Sequence, residues 1–187
     1  MSKVDLVLLG LLSEQPRHGY DIKQEIKRRN MDSWVGITTP AIYKGLARLE
    51  GKKDLSAHSE TTAAHPDRIV YSITDQGRET FQRILHQSLT EFVHPYFPML
   101  MGYGFAYLSD KPTLLDSLKS RLEGFAALKD EVAEIEKQFK EAECYPETAL
   151  DIVQYYMDLV EMEIKWLKRI LAKIEGVEPW PEGVFKR

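Results

Sequence analysis

The stretch Thr38-Thr39-Pro40-Ala41-Ile42-Tyr43-Lys44-Gly45-Leu46-Ala47-Arg48-Leu49-Glu50 decides the fold. Thr39 reads as a helix cap whose hydroxyl accepts an orphan amide hydrogen bond. Pro40 suits the first helical position, because the donor it lacks has no partner there. Ile42, Leu46 and Leu49 recur at spacings of four and three, so one side of this helix turns inward. Thr38, Ala41, Lys44, Ala47 and Arg48 are left near the other side, with Tyr43 beside them. That face is small, hydroxylated and basic. Two strand-like runs follow at once, residues 55–61 and 69–73, around a turn-like tip at 62–68. The first run alternates poorly and the second clearly. A basic helix followed by a hairpin predicts a winged helix-turn-helix, which puts a helix in the DNA major groove and a hairpin beside it.

The flanks agree with that prediction. Upstream, Val4, Leu6, Val7, Leu8, Leu9, Leu11 and Leu12 form a dense apolar run, and Ser13-Glu14-Gln15-Pro16 favours a short helix ending in a turn. Tyr20, Ile22 and Ile26 then share one face of a second helix, with Lys23, Lys27 and Arg28 on another. Downstream, Thr74 can cap a helix with Asp75 in its first turn, continuing through Phe81, Ile84, Leu85 and Leu89. The expected organisation is mainly α with a small β hairpin. A winged helix-turn-helix DNA-binding domain spans residues 1–80, and an antiparallel helical dimerisation region with an effector role spans 81–187.

A net charge of −4 over 187 residues looks unfavourable for nucleic acid, yet it averages two unlike halves. Residues 1–80 carry 12 Lys/Arg against 11 Asp/Glu, and residues 81–187 carry 13 against 18. Within residues 17–53 the balance is nine basic against four acidic. Charge attracts DNA according to where it faces the phosphates, so a local basic surface suffices. On the helix at 38–50, small residues allow close approach to bases. Ala41 and the methyls of Thr38 and Thr39 can meet thymine methyls, and the threonine hydroxyls can meet base edges or phosphates. Lys23, Lys44, Arg48 and Arg68 are assigned to phosphate attraction. The hydroxyls of Tyr20 and Tyr43 either reach phosphate or serve packing.

The second half reads differently. Phe92, Tyr96, Phe97, Tyr103 and Tyr107 crowd a proline-broken segment and could line a pocket for a flat aromatic ligand; the simpler reading is a core connection. A helix begins near Pro112 and Thr113. After Cys144-Tyr145-Pro146, a second carries Leu150, Val153, Met157, Val160, Ile164, Leu167 and Leu171 at heptad spacing. A further stripe, Ile152, Tyr156, Leu159, Met162, Trp166 and Ile170, covers another side. Two stripes imply two partners, so the heptad residues and Trp166 are expected to build a homodimer.

Other chemistries find little support. There is no phosphate-cradling glycine loop, no metal-ligand spacing around His58 or His65, and no catalytic triad; we expect neither enzyme activity nor a cofactor. One cysteine excludes an intrachain disulfide. The apolar run at 4–12 is far shorter than the roughly 20 residues a membrane span needs, so a cytoplasmic protein without membrane contact is expected.

Four motifs carry a resemblance. Leu8-Leu9-Gly10-Leu11-Leu12-Ser13, His18-Gly19-Tyr20-Asp21-Ile22, Ile42-Tyr43-Lys44-Gly45-Leu46-Ala47-Arg48-Leu49-Glu50 and Tyr71-Ser72-Ile73-Thr74-Asp75-Gln76-Gly77-Arg78 resemble the PadR family of transcriptional regulators. The resemblance implies a dimeric winged-helix repressor with a helical dimerisation region, often answering to a small inducer such as a phenolic acid. Tyr43 matches the family's tyrosine in the reading helix, and His18, Gly19 and Tyr20 match its motif before the second helix. Two departures stand out. Gly45 lies inside the reading helix at a cost of roughly 1 kcal/mol relative to Ala, and Lys52-Lys53-Asp54 replaces a glycine-containing turn. The expected function is a sequence-specific DNA-binding regulator, a homodimeric repressor of a double-stranded operator relieved by a small aromatic effector. The alternative is a dimeric winged-helix protein-interaction module with no operator.

Overall fold

The computed structural model describes residues 2–62, 65–92, 94, 97–141, 147–178 and 180. The chain divides into two compact units, Met1–His94 and Pro95–Arg187. The seam expected at residue 80 therefore falls later. Phe81 and Ile84 belong to the first unit's apolar core, so the helix that carries them stays with it.

In the first unit, α1 (Lys3–Glu14) buries Leu8, Leu9, Leu11 and Leu12, and the Ser2 hydroxyl accepts from the Asp5 amide at 3.3 Å to cap it. A two-residue strand, β1 (Arg17–His18), leads into α2 (Gly19–Arg28), which buries Ile22 and Ile26. A single turn, α3 (Met31–Trp34), is reached through Asn30 at φ 53°. Asparagine is one of the few residues that tolerate this left-handed conformation. The helix expected to read DNA, α4 (Thr39–Gly51), is thus fourth in the chain. Thr38 rather than Thr39 takes its N-cap position, in extended conformation and without a side-chain capping bond, and Pro40 sits in the first turn.

Strands β2 (Leu55–Thr62) and β3 (His65–Ile73) are followed by α5 (Asp75–Thr90). The sheet order is β1-β3-β2, antiparallel throughout, with Leu55 opposite Ile73 and Ala57 opposite Tyr71. Leu55 is buried, and Tyr71 and Ile73 pack on the same core. Both wing strands run further than their hydrophobic pattern predicts, with Thr62 opposite His65. A backbone ladder needs no apolar residues on a face left to solvent, so polar strand ends escape a search for alternation. Arg68, expected on the tip, instead lies in the ladder opposite Glu60.

The root of this hairpin is a dense hydrogen-bonded corner. Lys53 adopts φ 64°, the left-handed position where a glycine is usual. Asp54 is buried; its side-chain oxygen accepts from the Thr80 hydroxyl at 3.0 Å and from Gln76 at 3.4 Å. The Thr74 amide donates to the Asp54 carbonyl at 3.1 Å, and the Thr74 hydroxyl donates to the Lys53 carbonyl at 2.8 Å. That hydroxyl also accepts from the Gly77 amide at 3.0 Å, so the expected Thr74 cap is made.

Ionic contacts fasten α1 to α2. Glu25 accepts from Arg28 at 2.5 and 2.9 Å and from Arg29 at 2.6 Å, while Arg29 also reaches Glu14 with two contacts of 2.7 Å. These bonds, Arg28 first, hold the Glu25 carboxyl at about 2, below its ordinary 4.5. A depressed folded-state value means the stabilisation is full above about 4.5 and is lost as pH falls toward about 2. Glu25→Gln is expected to cost about 1–2 kcal/mol at pH 7. Urea unfolding should show this difference closing as pH falls below 4.5, and a pH-independent difference would overturn the assignment.

The second unit contains α6 (Pro98–Gly104), a 3-10 turn at Ala106–Leu108, and the long helices α7 (Lys111–Glu141) and α8 (Glu147–Glu175). Asp110, not Pro112 or Thr113, caps α7, accepting from the Thr113 amide at 2.9 Å. This bond lowers the Asp110 carboxyl from its ordinary value. Leu114 and Leu118 cluster with Leu167, Ile170, Leu171 and Ile174, whereas Val132 and Phe139 cluster with Val153. The start of α7 therefore meets the end of α8, and the two are antiparallel. At the far end of α8, Lys111 donates to the Glu175 and Val177 carbonyls at 3.1 and 2.9 Å, the role a basic group fills at a helix C-terminus.

This packing reassigns the heptad stripe. Val153, Leu167 and Leu171 are buried against α7 of the same chain, with Leu150 and Met157 half-buried beside Val153. Val160 is also buried, and Trp166 meets Tyr103 edge-on at 5.2 Å. A heptad seam marks helix pairing without saying whether the partner helix belongs to the same chain. The side chains left outward are Ile152, Tyr155, Tyr156 and Met162.

Candidate nucleic-acid interface

Packing against α1 and the sheet divides α4 cleanly. Ile42, Gly45, Leu46 and Leu49 are buried; Thr38, Thr39, Tyr43, Lys44, Ala47 and Arg48 are exposed, and Ala41 is half-buried. Gly45 faces inward, so its departure from the family pattern lies away from the exposed face. A Cβ there would stand 2.7 Å from Leu8 Cδ1 and 2.9 Å from Val4 Cγ1, and the absence of a side chain lets α1 and α4 approach closely.

Tyr43 mixes two roles. A Cβ on the buried Gly19 would come within 2.9 Å of its ring, so the ring covers the start of α2 while remaining 47% exposed. The Tyr71 phenol nearby is pushed up from its ordinary value, first by burial, then by the Glu50 carboxylate and Tyr43. Tyr20 is exposed, and its hydroxyl accepts from Gln24 at 2.6 Å. Lys23, Lys44 and Arg68 are exposed and form no ion pair among the described residues.

Arg48 is different. Its Nη2 donates to Oδ1 of Asp5 in the first turn of α1, so its guanidinium is engaged within the chain. Nothing in the sequence pattern singles out Asp5, because the pair spans 43 positions between two helices. His18 also gains a place. Its Nδ1 lies 3.2 Å from the Ile69 carbonyl and its Nε2 lies 3.8 Å from the Glu60 carboxylate, linking the entry of α2 to the wing. Only the motif His18-Gly19-Tyr20 hinted at that residue.

The aromatic segment separates. Phe92 belongs to the first unit and is 85% exposed, Phe97 is exposed, and Tyr96 lies outside the described residues, as do Cys144 and the His65 side chain. Tyr103 and Tyr107 do come together. With Ala106, Leu114, Lys173, Ile174, Val177 and Trp180 they line a mainly apolar recess of about 240 Å³. The Trp180 indole donates to the Ser109 carbonyl at 3.0 Å beside it. Among the described residues no three His, Cys, Asp or Glu groups could hold a metal ion, and no helix is long and apolar enough to cross a membrane.

Comparison with known proteins gives these features a context. The family described as "Transcriptional regulator PadR-like family" matches residues 8–83. A Lysinibacillus sphaericus protein described as "Uncharacterized protein X" is 30% identical over 84 residues, covering 45% of this chain and 76% of its own. The structure of Bacillus subtilis PadR in complex with operator DNA matches with a TM-score of 0.75 at 18% identity, over 92% of this chain and 99% of that one. The same B. subtilis protein in complex with p-coumaric acid matches at 0.71 and 20% identity, over 92% and 98%. The Vibrio cholerae virulence activator AphA matches at 0.74 and 18% identity, also over 92% and 98%. These likenesses establish the winged-helix fold with its helical extension, and the match at residues 8–83 covers α2, α3, α4 and the hairpin, with parts of α1 and α5. The chain belongs to the PadR-like family of transcriptional regulators.

Proposed function

We propose that this regulator is a homodimer that places the exposed face of α4 in two successive major grooves of a near-palindromic operator, with the β2–β3 wing beside each. The observation that carries this reading is the division of α4. Thr38, Thr39, part of Ala41 and the outer part of Tyr43 stand together on the exposed face, next to Lys44, which forms no ion pair among the described residues. Threonine and alanine at that position read base edges and thymine methyls; Lys23, Lys44, Arg48, Arg68 and the Tyr20 hydroxyl supply phosphate contacts. Operator binding by B. subtilis PadR, which shares the fold, supports the same use here.

Dimerisation belongs to the outward face of α8. Ile152, Tyr155, Tyr156 and Met162 are exposed although the helix already satisfies its heptad seam on α7. Such a second apolar stripe fits another copy of the chain. Bound at a promoter, the dimer excludes polymerase and represses. An aromatic carboxylic acid entering the recess beside Tyr103 and Tyr107 would stack on the rings and place its carboxylate near Lys173, shifting the separation of the reading helices. Calorimetric titration with p-coumaric acid tests that site; binding unaffected by Tyr107→Ala would remove it from the reading.

Replacing Lys44 and Arg48 together by glutamine is expected to weaken duplex binding at least about tenfold near 0.1 M salt, and to flatten its salt dependence by roughly two phosphate contacts per protomer. Anisotropy titrations across salt concentrations check both, and an unchanged slope would sink the phosphate assignment. Selection from random duplexes should recover a two-fold motif, with a dimer mass in solution. Unspecific retention alone would favour a protein-interaction module.

A further inference from the structure

Arg48 lies on the helix proposed to read DNA, yet its guanidinium is turned to a carboxylate of the same chain. Asp5 sits in the first turn of α1, and its side chain is only 15% exposed against 38% for Arg48. The Arg48 side chain runs back over Gly45, with Nη2 3.9 Å from the position a Cβ would occupy there. Asp5 also borders a recess shared with Lys52, Asp54 and Arg83. Asp54, the other acid at this recess, is instead held by Thr80 and Gln76.

We propose that Asp5 is an internal competitor for DNA phosphate, holding Arg48 in the free protein and setting how tightly the regulator grips any duplex. This rests on Arg48 being a phosphate ligand in the bound state. A guanidinium meeting phosphate must either leave the carboxylate or bring two anions close together, and both outcomes reduce the gain from the contact. The effect is independent of base sequence. It tunes retention on DNA in general and so the margin between operator and background. Asp5 acts through Arg48 and is a positioning residue.

The test uses the full-length protein and a fluorescein-labelled 40-base-pair duplex of mixed sequence, titrated by anisotropy between 50 and 200 mM NaCl. Asp5→Asn keeps the shape of the side chain and leaves the backbone amide that donates to the Ser2 cap untouched. It is expected to tighten binding about three- to tenfold and to steepen the salt dependence by about one phosphate contact per protomer. The same change made in an Arg48→Gln background should do nothing, since the group it releases is gone. Thermal unfolding of each variant, with Arg48→Lys as a charge-retaining control, separates lost fold from altered binding. If Arg48→Gln weakens binding but Asp5→Asn changes neither affinity nor slope, competition is overturned and Arg48 keeps its place as a phosphate ligand. An Asp5→Asn gain that persists undiminished without Arg48 overturns it too, by showing a general charge effect. If Arg48→Gln leaves the slope unchanged, the phosphate role of Arg48 falls and the proposal falls with it.

Discussion

Gly77→Ala is expected to cost at least about 3 kcal/mol of the first unit's stability. A methyl group at residue 77 would stand 2.0 Å from the Asp54 carbonyl oxygen and 2.8 Å from Ile73 Cγ1. Elsewhere in a helix the same substitution gains about 1 kcal/mol, so the sign itself is diagnostic. Relief would require moving the carbonyl, which already accepts from both the amide and the hydroxyl of Thr74 at 3.1 Å. Neither side of the clash is the free end of a flexible chain. Urea unfolding followed by circular dichroism should show a much lower midpoint for the variant. A variant as stable as the parent would mean that α5 begins elsewhere.

Gly45→Val is expected to be the next most damaging change, at about 3 kcal/mol. The first carbon alone meets Leu8 and Val4 within 3 Å, and Leu8 is completely buried. A β-branched residue adds two methyl groups to the tightest part of the α1–α4 crossing. Gly45→Ala should fall between, because its helix propensity offsets part of the overlap. Comparing thermal midpoints of the three proteins checks the order. Equal midpoints for glycine and valine would show that α1 yields freely.

Much of the first unit was legible in the chain. Ile42, Leu46 and Leu49 marked the buried side of α4, and Thr74 marked the start of α5, because spacing and capping are local properties. What escaped was non-local. Asp5 meets Arg48 only once two helices cross. The short strand β1 exists because β3 offers it a partner, and a two-residue strand carries no period of its own. The heptads of α8 were plain, but a period cannot say whose helix fills the seam, and here Val153 and Leu167 meet α7. Gly45 looked like a blemish on the exposed face of α4 because its outward neighbours, not its inward ones, were adjacent in sequence.

The corner at Asp54 and Thr74 has a mechanical consequence. Both strands of the wing end there, and the bonds that close the hairpin also start α5, so the wing behaves as a cantilever clamped at its root. A clamped beam does not swing on a hinge. Compliance is set along its length, and the register shift between Glu60 and Thr62 is the place where this beam is weakest. A load on the wing is therefore taken up at that register shift before it reaches the clamped root, and the position of α5 stays fixed.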